Sequence, residues 1–245
     1  MSSLTLSKDI SVQASEIILE VRNLSFRYSK KHPIVLHDIS LGFKRNKLTV
    51  IAGPNGSGKT TLMKHFNGMN LPQKGEIVVF DQILTKKNRK NIQQLVGLVF
   101  QNPDEQIFYP KVFEDVAFGP KNMQLPWNEV RERVREALEE VKINHLQNRI
   151  TFNLSFGEKK KVAFAGMLAM KPEIVVLDEP TIGIDPWSKP RLIEIINSFK
   201  ERRTVIVITH DFDMMKIADR IVLLKEGRIE GDFSSFDEFY QQEFV

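Results

Sequence analysis

The octapeptide GPNGSGKT, from Gly53 to Thr60, constrains the fold of this chain more than any other segment. It follows the apolar run that begins at Leu48, which is typical of a buried strand, and it precedes residues compatible with a helix up to Gly68. The pattern G-x-x-x-x-G-K-[ST] between a strand and a helix indicates a phosphate-binding loop, because glycines let backbone N–H groups approach phosphate oxygens and the helix N-terminus adds a favourable dipole. Chance gives this pattern in a chain of 245 residues with a probability of roughly one in a hundred. We therefore predict a nucleotide site at this loop.

The polar residues of the loop have separate expected roles. Lys59 is expected to reach the β- and γ-phosphates, and the Thr60 hydroxyl is expected to ligate Mg²⁺. The residues predicted to contact the nucleotide are Gly53, Asn55, Gly56, Ser57, Gly58, Lys59, Thr60 and Thr61.

A second apolar run, which begins at Ile174, delivers two acids at its C-terminal end. Ligands of open α/β sheets bind at that end of the strands. Asp178 is expected to hold Mg²⁺ directly or through water, and Glu179 is placed to polarise an attacking water. The alternative is that the two acids only cap the next helix.

Apolar runs alternate with helical stretches along most of the chain, which predicts an α/β fold with a mostly parallel core sheet. The expected strands are a pair within residues 16–28, then 48–53, 75–80, 96–101, 174–179, 204–209 and 220–225. Residues 102–153 contain four prolines and the strongest helix pattern of the chain, at 128–142, so they are expected to form a helical insertion.

Composition removes several classes of function. The net charge is +4 with both signs interspersed, so charge does not indicate nucleic-acid binding. The absence of cysteine excludes disulfides and thiolate zinc sites. No apolar run approaches the ~18 residues of a membrane span, and the first 16 residues lack the pattern of a secretory signal. We expect a cytoplasmic protein that partners would hold at any membrane where it works.

Several separated motifs together resemble the ATPase subunits of ABC transporters. The matching positions are Tyr28 (adenine stacking), Gln101 (Q-loop), Leu154-Ser155-Phe156-Gly157-Glu158 (the LSGGQ signature), Asp185 (D-loop) and His210 (switch histidine). Each has an ordinary structural explanation when it is taken singly, such as packing, a cap or a turn. Their order and spacing, from about residue 17 to 230, are specific.

Two further runs are similar to the ATPases of energy-coupling factor transporters, the importers of vitamins and metal ions. These runs are QNPDEQIF from Gln101 to Phe108 and AGMLAM from Ala165 to Met170. The resemblance implies a pair of ATPase subunits at the cytoplasmic face of the membrane, a transmembrane coupling subunit and a small substrate-capturing membrane protein.

The resemblance also implies a division of labour between two subunits, each of which binds ATP with Mg²⁺. In cis, the implied residues are Lys59, Thr60, Gln101, Asp178, Glu179 and His210, with Gln101 also near the metal. Ser155 and Gly157 would act in trans on the nucleotide of the partner. Glu179 would activate water, His210 would contact the γ-phosphate, and residues 102–108 would pass motion to the membrane partner.

The implied fold is a single nucleotide-binding domain over residues 16–245, preceded by a loose tail at 1–15. It would have an N-terminal antiparallel β part, an inserted helical subdomain at about 102–158 and a short C-terminal helix at about 233–245. The aromatic residues of that last helix would pack on the core or form a dimer contact.

The signature departs from the family pattern at Phe156 and Glu158. A side chain at 156 is expected to hinder close backbone approach. The carboxylate of Glu158 is expected to repel phosphates by on the order of 2 kcal/mol at about 7 Å and an effective dielectric of about 20. We therefore hypothesise a heterodimer with unequal sites, and the alternative is neutral variation in a homodimer.

Two other functions compete with transport. A soluble ABC ATPase that regulates another cytoplasmic machine is the second hypothesis, although the 95 positions between Lys59 and Leu154 leave no room for the long coiled coil of repair-type relatives. A P-loop kinase is the third, and it would lack the signature and the switch histidine.

Overall fold

The computed structural model describes residues 16–244, which form two sheets and a set of helices. In chain order the strands are β1 (Ile17–Phe26), β2 (Leu36–Lys44), β3 (Leu48–Ala52), β4 (Lys74–Val79), β5 (Gln82–Ile83), β6 (Val96–Val99), β7 (Ile174–Asp178), β8 (Thr204–Ile208), β9 (Arg220–Lys225) and β10 (Arg228–Phe233). The α-helices are α1 (Lys59–Phe66), α2 (Arg89–Leu95), α3 (Val112–Asn122), α4 (Trp127–Glu140), α5 (Phe156–Leu168), α6 (Lys189–Phe199), α7 (Phe212–Lys216) and α8 (Phe236–Phe244). The expected loose tail at 1–15 lies outside the described residues.

The core sheet has the strand order β10-β9-β3-β8-β7-β6. Strands β9, β3, β8, β7 and β6 pair in parallel, and only β10 is antiparallel to its neighbour. Every residue of β3, β7 and β8 is buried, as expected for strands covered on both faces. The predicted α/β fold with a mostly parallel sheet is therefore confirmed.

The smaller sheet is antiparallel, with the order β2-β1-β4-β5. The strand pair expected within residues 16–28 is wrong, because that segment is the single strand β1. Its register shifts after Val21, and Asn23 adopts a left-handed φ of 49° while its N–H donates to Ser40 Oγ. The polar residues at this point make a bulge, which in the sequence resembles a turn.

Two apolar clusters cover the two faces of the core sheet. One joins the sheet to the helices and includes Phe164 and Phe199, and the other joins it to the antiparallel sheet and α1 and includes Phe43 and Phe66. Helix α4 matches the strongest helical pattern and buries its apolar face. No helix within residues 16–244 is long and apolar enough to cross a membrane.

The last helix packs through an aromatic cluster. Phe239 is buried, and Tyr240 and Phe244 remain partly exposed. The ring of Phe212, on α7, lies 5.6 Å from the ring of Phe244 and 6.2 Å from that of Tyr240. The helix expected at about 233–245 is observed as α8, whereas Phe233 ends the edge strand β10.

Candidate functional site

The loop between β3 and α1 requires glycine at positions where neighbouring atoms come very close. Gly53 has φ of 148°, and a Cβ there would lie 2.0 Å from the carbonyl oxygen of Leu224. Gly58 has φ of 101°, and a Cβ there would lie 2.9 Å from the side chain of Leu36. Because a side chain fits at neither position, the glycines of the motif set the path of the loop across the carboxyl end of the sheet.

Lys59 lies at the first position of α1 and is 7% exposed. Its Nζ donates to the carbonyl oxygens of Gly53 and Pro54, both at 2.8 Å. Burial lowers the pKa of Lys59 from its usual value, while the nearby Glu179 and Asp178 act in the opposite direction. The loop's own carbonyls thus hold the ammonium group at the centre of the loop.

Thr60 and Asp178 bring two hard oxygen donors together from α1 and the end of β7. The Thr60 hydroxyl donates to Asp178 Oδ2 at 2.8 Å. Burial raises the pKa of Asp178, and the hydrogen bond from Thr60 opposes that rise. A hydroxyl and a carboxylate in contact are the donor types from which Mg²⁺ takes its few protein ligands, the others being water and phosphate oxygens.

A cavity of about 210 Å³ lies over these groups. Most of the residues predicted to bind nucleotide or metal or to act in catalysis line it, together with Val35: Asn55, Gly56, Gly58, Lys59, Thr60, Thr61, Gln101, Asp178 and Glu179. Gly53 and Ser57 do not line it. Within the described residues the buried Ser57 Oγ has no hydrogen-bond partner, and the Ser57 carbonyl accepts from the N–H of Gly227 at 3.0 Å.

The carboxylate of Glu179 is held by two residues that follow β8. The Thr209 hydroxyl donates to Glu179 Oε2 at 3.0 Å, and His210 Nδ1 lies 2.9 Å from Oε1. Glu179 is 7% exposed and has φ of 44°, so its backbone occupies the left-handed region that a non-glycine residue rarely adopts. Thr209 was missed in the sequence, although a polar residue at the carboxyl end of a strand next to β7 is a recognisable signal.

Tyr28 lies beside the start of α1 and is 55% exposed. Its hydroxyl is 2.9 Å from Thr61 Oγ1, and its ring packs edge-on against Phe26 at 5.1 Å. Its role in stacking on adenine stays a prediction.

Ser155 and Gly157 lie at the N-terminus of α5 and are not part of this cavity. The Ser155 N–H donates to Glu158 Oε2 at 2.8 Å, and the Glu158 N–H donates to Ser155 Oγ at 3.3 Å, which is a capping box. The carboxylate of Glu158 thus accepts from its own helix terminus, and its repulsion of a partner's phosphates stays a prediction. Phe156 turns back against its own chain, where its ring lies 2.6 Å from the position that a Cβ on Gly183 would take.

The family model and the sequence relatives that match this chain all describe ATP-binding proteins of ABC transporters. The family model described as ABC transporter matches residues 36–182. The energy-coupling factor transporter ATP-binding protein EcfA of Methanocaldococcus jannaschii is 44% identical over 216 residues, which cover 86% of this chain and 77% of that protein. The EcfA protein of Methanothermobacter thermautotrophicus is 42% identical over 232 residues, 93% of this chain and 74% of that protein.

Solved structures agree with the sequence relatives. CbiO1 of Clostridium perfringens, described as part of the ABC transporter complex cbiONQ, superposes with a TM-score of 0.85 at 37% identity, over 93% of this chain and 92% of that chain. A dimeric ATP-binding cassette in a post-hydrolysis state, bound to ADP and Pi, superposes with a TM-score of 0.80 at 26% identity, over 89% of this chain and 98% of that chain. The sequence relatives, the solved structures and the phosphate loop with its facing acids agree, and the chain belongs to the ABC transporter family as an ATPase of the energy-coupling factor type.

Proposed function

We propose that this chain is the ATP-hydrolysing motor subunit of an energy-coupling factor importer for vitamins or metal ions, attached peripherally to the cytoplasmic face of the membrane. The observation that carries the proposal is the convergence of Lys59, Thr60, Asp178 and Glu179 on one cavity at the carboxyl end of the core sheet. The names of the EcfA relatives and of the CbiO1 complex support the transporter class.

Thr60 and Asp178, with Gln101 on the same cavity, would hold Mg²⁺. When bound, the metal would neutralise charge on the β- and γ-phosphates. Lys59 would exchange the carbonyls of Gly53 and Pro54 for phosphate oxygens. Glu179, oriented by Thr209, would accept a hydrogen bond from the attacking water, and His210 would turn from Glu179 towards the γ-phosphate.

A groove beside the Q-loop supports the assignment of residues 102–108 to the membrane partner. It has a volume of about 420 Å³ and lies between the core sheet and the inserted helices. The aromatic and thioether side chains that line it are Met69, Phe100, Phe108, Phe118, Met167 and Met170. Gln106 ties the segment to β6, because it accepts from the N–H of Phe100 at 2.8 Å and donates to the carbonyl of Leu98 at 3.1 Å.

The partner ATPase would receive Ser155 and Gly157 on its nucleotide. Ser155 Oγ accepts the Glu158 N–H, so its hydroxyl hydrogen stays available to donate to a phosphate. Phe156 and Glu158 support the proposal of a heterodimer in which the two ATP sites differ.

The test is Glu179→Gln in the full-length chain. We expect this variant to bind ATP and to lose most of its turnover, since the amide cannot act as a general base. Near-wild-type hydrolysis would overturn the role of Glu179.

Co-purification of the chain with a second ATPase and membrane subunits tests the transporter assignment, and purification free of any membrane subunit would contradict it. In the purified chain, Phe156→Gly combined with Glu158→Gln should raise ATPase activity, and unchanged activity would count against unequal sites.

A further inference from the structure

Lys160 is a charged residue in the interior of the protein. It lies in the second turn of α5 and is 1% exposed. Its Nζ donates to the carbonyl oxygen of Glu179 at 2.7 Å and to that of Pro180 at 3.0 Å. A buried ammonium is unfavourable unless it is well hydrogen-bonded, so these two bonds account for its position.

The two carbonyls belong to the two peptide units that directly follow a strained position. Glu179 has φ of 44°, and such a backbone persists only when its surroundings hold it. The Glu179 N–H donates to the carbonyl of Ile208 at 2.8 Å, which fixes the segment from the side of the sheet. Lys160 fixes it from the side of α5, through charge-assisted hydrogen bonds that are stronger than neutral ones.

Phe156 contributes to the same contact. Its ring centroid lies 5.5 Å from the Nζ of Lys160, a distance at which an ammonium is attracted to the face of a ring. The ring also lies against Gly183, four positions after Glu179 in the loop between β7 and α6. Phe156, one of the two residues that depart from the family signature, therefore covers Lys160 and packs on the segment that Lys160 holds.

We propose that Lys160 is a positioning residue for ATP hydrolysis, which holds the backbone at Glu179 and Pro180 so that the Glu179 carboxylate keeps its orientation towards the attacking water. The inference rests on the proposed role of Glu179. Lys160 and Phe156 lie on α5, whose N-terminus carries Ser155 and Gly157. Helix α5 therefore connects the residues proposed to contact the partner's nucleotide with Glu179, which is proposed to act on the nucleotide of this chain.

The test compares variants of Lys160 by steady-state ATPase activity of the full-length chain. Lys160→Met keeps the length of the side chain and removes its donors. We expect it to lower kcat by about tenfold or more, since small misplacement of a catalytic group has effects of that order, and to leave KM for ATP within about twofold. Lys160→Arg, which keeps charge and donors, should restore part of kcat. Lys161→Met is the matched control and should behave as wild type.

The outcomes distinguish a failure of the proposed role of Glu179 from a failure of the proposed role of Lys160. If Glu179→Gln retains turnover, the proposed function of Glu179 fails whatever Lys160 does. If Glu179→Gln is inactive and Lys160→Met is folded and keeps its kcat, the role of Lys160 is overturned. A parallel loss of kcat and ATP affinity would also overturn it, because it would indicate a general structural role. Should Lys160→Met fail to fold, Lys160→Arg and Lys160→Gln decide: kcat falling in the order Lys, Arg, Gln at constant KM supports the inference, and equal kcat refutes it.

Discussion

The buried imidazole of His65 makes the stability of this protein depend on pH. His65 lies on α1 and is completely buried, with Nδ1 at 2.8 Å from the carbonyl oxygen of Thr61. Nδ1 therefore carries the hydrogen of the neutral ring, and Nε2 is buried with no hydrogen-bond partner in the described chain. Burial lowers the pKa of His65 from 6.5 to about 4, and the hydrogen bond to Thr61 opposes this only in part.

The sign and size of the effect follow from this pKa. Between about pH 6.5 and 4 the unfolded chain binds a proton at His65 that the folded protein does not, so the free energy of unfolding falls as the pH falls. The full loss is about 3.4 kcal/mol, and about 2 kcal/mol of it is reached at pH 5. Above about pH 6.5 the contribution is fully present.

The assay is urea unfolding at about pH 7.5 and pH 5, with wild type and His65→Phe compared at each pH. The phenyl ring keeps the edge-on contact that His65 makes with Phe26 at 4.5 Å and cannot titrate. We expect the wild type to lose about 2 kcal/mol more than the variant between the two conditions. His145→Gln, at an exposed histidine, should track the wild type. Equal losses in wild type and His65→Phe would refute the reasoning.

Three further predictions concern the phosphate loop and the proposed dimer. Gly53→Ala should abolish ATP binding, measured by calorimetry, because its Cβ would lie 2.0 Å from the carbonyl oxygen of Leu224; unchanged affinity would contradict the described path of the loop. Thr60→Val should raise the Mg²⁺ concentration required for half-maximal ATPase activity by about tenfold, the cost of one good ligand, and an unchanged Mg²⁺ titration would remove Thr60 from the metal site. Trp187 is 92% exposed directly after the D-loop, so in a Trp127→Phe background its fluorescence should shift to the blue when ATP closes the pair, and an unshifted spectrum in a dimer shown by light scattering would place it outside the interface.

The parts of the fold that the sequence predicted well are those in which one physical cause dominates. The continuous Val and Ile runs of β3, β7 and β8 are buried on both faces, so hydrophobicity is sufficient to identify them. Strand β10 was not predicted, because its sequence RIEGDF carries charged residues and it pairs on one edge only, next to β9. An edge strand needs little burial and so leaves a weak pattern.

The residues of the candidate site that belong to a short sequence pattern were predictable, and those that depend on tertiary contacts were not. The spacing of the phosphate loop located Lys59 and Thr60, and the end of an apolar strand located Asp178. The capping box at Ser155 is local, because its two residues are three positions apart, and its S-x-x-E pattern is readable in the sequence. The conformation of Glu179 depends on contacts between distant segments, which local patterns do not report. The same holds for Lys160, since its partners are 19 and 20 positions away in the chain and one lysine among several neighbours has no distinguishing pattern.

The aromatic cluster at the end of the chain has a practical consequence for anyone who prepares this protein. Phe212 stands two positions after His210, and its ring contacts Tyr240 and Phe244 of α8. An affinity tag or fluorescent fusion joined after α8 would therefore lie close to the turn that carries His210, because Phe244 of α8 contacts Phe212. Kinetic work on this ATPase should use a cleavable handle at that end, with turnover measured before and after its removal.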